Sequence, residues 1–162
     1  MDIKPTPLTR LDSPYLDLTV TLPGNEAYYI FAGKNQGVPQ IWELDSLICT
    51  LICDATVANR YIYARVYSDL GLGLLIGVQS PAVLASTTKT LVIGPYMYMS
   101  GAVVPGDFIA GVKPIVISGD NVLKIYIGSG QAGDTYTAHL RLKYLNYELG
   151  IQTPYDPLRK GG

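Results

Sequence analysis

Charge is what this chain has least of. Lys and Arg number 12 and Asp and Glu 13, only 15% of 162 residues, against about 25% in an average soluble domain. A net charge of −1 leaves no positive field to neutralise phosphates, so nucleic acid is not an expected partner. Histidine occurs once, and neither a GxSxG nor an HExxH pattern is present. Nucleophile, base and orienting group cannot be assembled from what remains, and the expected catalytic set is none. Long hydrophobic runs are missing too. The longest strongly apolar stretch, Leu70 to Val78, is broken by Gly71, Gly73 and Gly77 and falls far short of the ~20 residues of a membrane-crossing helix. No membrane partner is expected. The start, Met1-Asp2-Ile3-Lys4-Pro5, has neither the basic nor the apolar region of a secretory signal, which leads us to expect synthesis and assembly in a cytoplasm.

Cysteine is scarce as well. Cys49 and Cys53 lie four apart in a strand-like segment, which separates them by about 13 Å. A disulfide needs Cα atoms within about 7 Å, so both are expected as buried free thiols. Two thiols without a neighbouring histidine or second cysteine pair supply too few ligands for zinc. Asp107, Asp120 and Asp134 sit in separate turns, where carboxylates usually cap backbone rather than converge on calcium. No metal and no cofactor are expected. Gly71-Leu72-Gly73 lacks the Gly-Lys-Ser/Thr that would make it a phosphate loop and reads as a hairpin turn.

Hydrophobic residues, by contrast, reach 48%, and mean hydropathy is +0.22. A monomer of this composition would carry an unusually apolar surface, so burial against other subunits is expected. Residues 1–14 hold Pro5, Pro7 and Pro14 among Thr, Ser and Asp, and residues 150–162 have the same character. Both read as extended arms, since this spacing of proline prevents helix and disfavours a central strand. Between them, residues 15–149 form the expected folded domain, and its dominant period is two, the strand period. Candidate strands are Tyr15 to Thr21, Ala27 to Phe31, Ile41 to Ile52, Arg60 to Tyr67, Leu74 to Val78, Lys89 to Ile93, Ile115 to Ser118, Val122 to Gly128 and Thr135 to Leu145. Turn chemistry separates them at Pro23-Gly24-Asn25, Asp69-Leu70-Gly71, Pro105-Gly106-Asp107, Gly119-Asp120-Asn121 and Ser129-Gly130-Gln131. The expected fold is all-β, an antiparallel β-sandwich of jelly-roll type with extended Pro-rich N- and C-terminal arms.

Two motifs stand out. Cys53-Asp54-Ala55-Thr56-Val57-Ala58-Asn59-Arg60 should be the connection at one sandwich end. There Asp54 can accept backbone N–H bonds, Asn59 can take a left-handed turn conformation, and Arg60 offers a planar fork of donors. Near the other end of the chain Gln131-Ala132-Gly133-Asp134 opens the last long strand, and Asp134 is a candidate partner for Arg60. We read Asp54, Asn59, Arg60, Ala132, Gly133 and Asp134 as a structural motif rather than a binding site. His139 falls on the polar face of that last strand, beside Arg141 and Lys143. Tyr61, Tyr63 and Tyr67 share a strand face with Arg65, and such a tyrosine stripe reads as an intersubunit or intersheet surface rather than a base-stacking platform in a chain without net positive charge.

The apolar strand Ile41 to Ile48, the Asp54 to Arg60 run, the Ser/Thr-rich Ala85-Ser86-Thr87-Thr88 and Gln131 to Asp134 together resemble a family of small β-sandwich virion proteins of tailed bacteriophages, over about residues 40 to 148. The resemblance implies a non-enzymatic virion structural protein. Its most specific form is a capsid cement or decoration protein, on the capsid exterior, whose partners are the major capsid protein and further copies of itself, as a homotrimer. This chain departs from the family in the apolar stretch around Met97, Tyr98 and Met99 and in its C-terminal extension. Partner contacts are therefore expected at Ile3, Pro5 and Leu8, at Met97 and Met99, and at Tyr155 and Leu158. The alternatives are a tail-associated receptor- or glycan-binding module, which would carry aromatic residues in loops at one sandwich end, and a head–tail connector or minor tail component.

Overall fold

A computed structural model describes residues 14–35, 38–68, 73–94, 108–111 and 114–145. The chain there runs as ten strands: β1 (Tyr15–Pro23), β2 (Ala27–Asn35), β3 (Val38–Pro39), β4 (Ile41–Ile52), β5 (Tyr61–Tyr67), β6 (Leu74–Gln79), β7 (Thr88–Gly94), β8 (Phe108–Gly111), β9 (Ile115–Gly128) and β10 (Thr135–Tyr144). One layer is ordered β1–β10–β4–β7, the other β2–β9–β5–β6. Apart from the β5–β6 hairpin, consecutive long strands switch between layers while first and last pair, which is the double-sheet connectivity of a jelly roll. Every pairing is antiparallel except that of β8, which lies parallel to β7 at the edge of its layer. No signal in the sequence marks β3 or β8.

The sandwich forms because the long strands turn alternate apolar residues inward. β5 and β10 alternate cleanly: Ile62, Ala64 and Val66, like Tyr136, Ala138, Leu140 and Leu142, are buried. β4 starts with even-numbered residues inside (Trp42, Leu44) and continues with odd ones (Leu47, Cys49, Leu51). A register shift against β10, where Arg141 faces Ser46 and Leu142 faces Leu44, leaves Asp45 as the extra residue of a β-bulge and resets the phase. Both halves of the strand thereby face the same core, where each fully buried Leu or Ile contributes about 1.5–3 kcal/mol.

β9 is one strand where two were expected. Ile115 to Ser118 pair with β4 in the first layer, and Val122 onward pair with β5 and β2 in the second. The Gly119-Asp120-Asn121 segment is therefore not a turn between two strands but a corner, at which the strand changes sheets. Gly119 has φ +56° with open space around it, so glycine is needed for the backbone conformation and not for room. Arg60, expected as the first residue of its strand, instead precedes β5 and makes an isolated bridge to Val83.

The connections β1–β2, β4–β5, β6–β7 and β9–β10 gather at one end of the sandwich. Pro14, Asn35, Ser68, Gly94, Gly111 and Leu145, where the chain leaves the described residues, all lie toward the opposite end. Ile3, Pro5, Leu8, Met97, Met99, Tyr155 and Leu158 fall outside the described residues, as do nearly all of the two expected arms.

Candidate functional site

The Asp–Arg motif and the Ala-Gly-Asp motif meet at the loop end. Arg60 is fully buried, and each of its five N–H donors has an acceptor. Nε donates to Asp134 Oδ2 at 2.9 Å and Nη2 to Asp134 Oδ1 at 3.0 Å, a bidentate fork. Nη2 also donates to Asp54 Oδ1 at 2.6 Å, while Nη1 reaches the carbonyls of Thr56 at 2.6 Å and Ala58 at 3.0 Å. The guanidinium thus closes its own loop and fastens it to the β9–β10 connection.

Asp134 is equally saturated. Besides the fork, its Oδ1 accepts the Asp54 N–H at 2.9 Å and its Oδ2 the Gln131 N–H at 2.8 Å. Asp54 holds the N–H and hydroxyl of Thr56 at 3.0 and 3.1 Å, and its carbonyl accepts from Ser86 N–H at 2.8 Å. The Asp134 carbonyl takes the Gly24 N–H at 2.8 Å, Cys53 N–H bonds to the Thr87 carbonyl at 2.9 Å, and Arg60 and Val83 exchange two backbone bonds. Buried Ser80 completes the set by accepting from Ile62 N–H at 2.9 Å. All four connections are therefore tied to one buried ion cluster.

Electrostatics follow from that saturation. Burial alone would push the Asp134 carboxyl up, but the hydrogen bonds from Arg60, Gln131 and Asp54 outweigh it and hold its pKa below the usual carboxylate value. The hydrogen bond to Asp134 raises the pKa of Arg60 against the opposing effect of its burial. Neither group has a donor or lone pair left to offer a substrate or a cation. Asp134 is thus unavailable to calcium. No group of three His, Cys, Asp or Glu suited to a metal occurs among the described residues.

Of the six motif residues, Asp54, Arg60, Gly133 and Asp134 act together. Gly133 is required for space: a Cβ there would collide with the Asp54 carboxylate. Gly133→Ala should therefore lower stability by about 1–3 kcal/mol, read as a lower melting temperature in calorimetry, whereas an unchanged melt would show that the loop yields freely. Ala132 and Asn59 are exposed and outside the network. Asn59 does not take the left-handed conformation expected of it; among the described non-glycine residues Ser86 (φ 54°) and Ser129 (φ 58°) do. Local sequence rules miss Ser80, Val83 and Ser86, whose roles depend on a loop brought in by the fold.

The cysteines sit where expected, free and buried. Burial pushes the Cys49 thiol up to about 12 and, with the Asp134 charge, raises Cys53 too, so both are protonated and inert at neutral pH. His139 is exposed and hydrogen-bonds through Nδ1 to Thr19 Oγ1 at 2.9 Å. The tyrosines of β5 face outward, and β9 adds Lys124 and Tyr126 beside them. The four connections at the loop end contain no aromatic residue, so the ring platform a glycan module would place there is missing. At the opposite end Trp42 and Tyr144 stack with ring centroids 4.9 Å apart; their buried Nε1 and hydroxyl have no hydrogen-bond partner among the described residues.

Comparison with known proteins finds no matching family model, no similar curated protein and no similar solved structure.

Proposed function

We propose that this chain is a non-enzymatic bacteriophage virion structural protein, a cement protein that lies on the capsid exterior and bridges subunits of the major capsid protein. The observation that carries this reading is the polarity of the fold. One end is closed by the buried Arg60–Asp134 pair, in which neither side chain has a donor or lone pair left over. At the other, Pro14 and Tyr144 are adjacent, the Tyr144 N–H bonding to the Pro14 carbonyl at 2.6 Å. The 13 residues before Pro14 and the 17 after Leu145 (162 − 145) therefore leave a rigid body side by side. Pro5, Pro7, Pro154 and Pro157 lie in those two segments and restrict their free states, which lowers the cost of ordering them on a partner. The Trp42 N–H and Tyr144 hydroxyl at that end, without a partner among the described residues, are what a contact supplied from beyond them would satisfy.

Cementing needs no catalysis. A protein that binds the assembled lattice and not its separate subunits stabilises the lattice by RT ln(1 + [L]/Kd) per site. The low charge and the apolar residues on both outer faces suit a body that spends its working life against neighbours.

The test is a chain lacking residues 1–14 and 150–162, mixed with capsids stripped of this protein and followed by co-sedimentation and by the temperature of genome release. The truncated body should keep its far-ultraviolet spectrum, lose capsid binding by about 100-fold or more, and fail to raise the release temperature. Undiminished binding, or density for the full chain on the tail axis alone in a virion reconstruction, would overturn the proposal.

A further inference from the structure

The outer face of the β2–β9–β5–β6 layer carries a charge arrangement the fold itself does not explain. Arg65 and Lys124 are direct cross-strand partners, and so are Tyr63 and Tyr126. Like charges placed directly opposite destabilise a sheet. No Asp or Glu occurs in the paired segments 27–31, 61–67, 74–79 and 122–128 to relieve them. The two cations are instead braced by rings. Tyr63 and Tyr126 stack at 4.8 Å and 14°, Arg65 lies 4.1 Å over Tyr63 and Lys124 4.5 Å over Tyr126. Arg65 Nη1 also donates to the Tyr126 hydroxyl at 2.9 Å. The positive potential registers on Tyr67: burial acts to raise its phenol, yet hydrogen bonds involving Arg65 and Tyr126 bring it below the ordinary value. The array is built into the sheet, since the Tyr63 ring occupies the place a Cβ on Gly128 would take, and the Arg65 stem crosses Gly77 2.8 Å from where its Cβ would stand. Beside it Leu74 and Leu75 are exposed at 54% and 56%.

The opposite face of the same molecule, on β1–β10–β4–β7, is complementary. Asp17, Glu43 and Asp45 outnumber Arg141 and Lys143 there, three carboxylates to two cations. Asp17 and Asp45, with side chains 74% and 40% exposed, share the one Arg141 guanidinium at 3.9 Å each. Between them and His139 lies a shallow depression of about 300 Å³ whose walls include Asp17, Thr19, Ser46, Ile48 and Arg141. The rest of that face is uncharged. Thr21, Thr137, Thr50 and Thr90 form one row across four strands and bond in pairs at 2.9 and 3.0 Å. Covering them therefore strands few hydroxyls. Ile48 and Ile52 stand exposed nearby, an apolar match for the leucines.

We infer that the Arg65–Lys124 face of one copy docks on the Asp17–Asp45 face of another, placing the two cations against the carboxylates that Arg141 leaves under-neutralised. The inference rests on the cement reading, for which further copies of this chain are expected partners, and names the surfaces through which copies associate. Because the two surfaces are on opposite sides of the sandwich, the contact is head-to-tail, and copies close into a ring or run on as an open filament according to the rotation between them. A nucleic acid is the poorer occupant. The faces of the Tyr63 and Tyr126 rings are already taken by each other and by the cations, which removes the centre of the array as a stacking platform, and two cations neutralise too few phosphates.

The experiment is sedimentation equilibrium on the full chain with Lys124→Glu, Asp17→Lys and the double variant, each checked for folding by circular dichroism. The wild type should associate, and each single variant should raise the subunit dissociation constant about tenfold or more. The double variant, with the charges exchanged across the contact, should recover most of that loss. A wild type that stays monomeric at about 100 μM, single variants that associate normally, or a double variant no better than either single would overturn the inference. So would binding of a 20-nucleotide poly(dT) strand that Lys124→Glu abolishes, which would give the face to nucleic acid. A monomeric protein that still decorates capsids would sink this contact and leave the cement reading intact; an oligomer that behaves as described but ignores capsids would do the reverse.

Discussion

Arg60→Ala should be among the most damaging single substitutions in the body, lowering stability by about 3–5 kcal/mol. The truncation leaves the Asp134 carboxylate buried without its fork and the Thr56 and Ala58 carbonyls without donors. Against a total of about 5–15 kcal/mol, that is enough to populate the unfolded chain. At about 2–4 °C per kcal/mol for a chain of this size, melting should fall by roughly 10 °C. Arg60→Lys should rescue little, because an ammonium has three donors and no fork where five bonds are made in one plane. Urea denaturation checks both: the midpoint should move with an unchanged slope, the signature of lost native stability rather than a changed unfolded ensemble. A stability loss under about 0.5 kcal/mol would mean that water or loop movement replaces the fork, and the saturated geometry would then be incidental.

Buried ion clusters can often be exchanged for apolar side chains without loss. This one should resist the exchange. Asp134 accepts backbone N–H groups of Asp54 and Gln131 in addition to the guanidinium, so leucine in its place would orphan two buried backbone donors as well as the arginine. The cluster serves as the common anchor of four connections.

How far the sequence can be read depends on whether the relevant contact is local. β4 is legible to the residue, because Trp42, Leu44, Leu47, Cys49 and Leu51 read as one apolar segment even through the change of phase at Asp45. The same local reasoning misplaces Gly119-Asp120-Asn121, since a turn between two strands and a sheet-changing corner ask for the same residues. β8 has four residues, Phe108–Gly111, too few for a period to show. Charge suggests the pairing of Arg60 with Asp134, 74 positions apart, but the need for Gly133 is not visible, because the group that excludes its Cβ is the Asp54 carboxylate from another loop. Residue type alone points to Asn59 for the left-handed conformation, whereas Ser86 and Ser129 adopt it under tertiary constraint. The tyrosine stripe is evident on β5 by its period; that Lys124 lies directly opposite Arg65 requires strand register, which alternation cannot supply.

Acid sensitivity should follow from Asp134, and Asp134→Asn should largely remove it. In the folded protein the carboxyl is held below its usual value, so the charged form is the one the native state favours. The associated stability is complete well above the unfolded carboxyl value of about 3.9 and is lost as the pH falls past that value toward the lower native one. Stability should therefore be flat with respect to this group from about pH 5 to 8 and decline below about pH 4 as the unfolded chain binds the proton first. The amide variant places a neutral group beside a fully buried guanidinium and can match only part of the fork, so at pH 7 it should be destabilised by about 3–5 kcal/mol. Its acid limb should be shallower by about one proton, because the group that bound it is gone. Denaturation at closely spaced pH values on both proteins separates the two effects. If the variant loses stability at neutral pH but keeps the full acid slope, the titrating group lies elsewhere and Asp134 acts only through its hydrogen bonds. If the two curves converge below about pH 3, the protonated acid of the wild type and the amide of the variant are equivalent, and the carboxylate charge on the Arg60 fork is what the neutral-pH fold depends on.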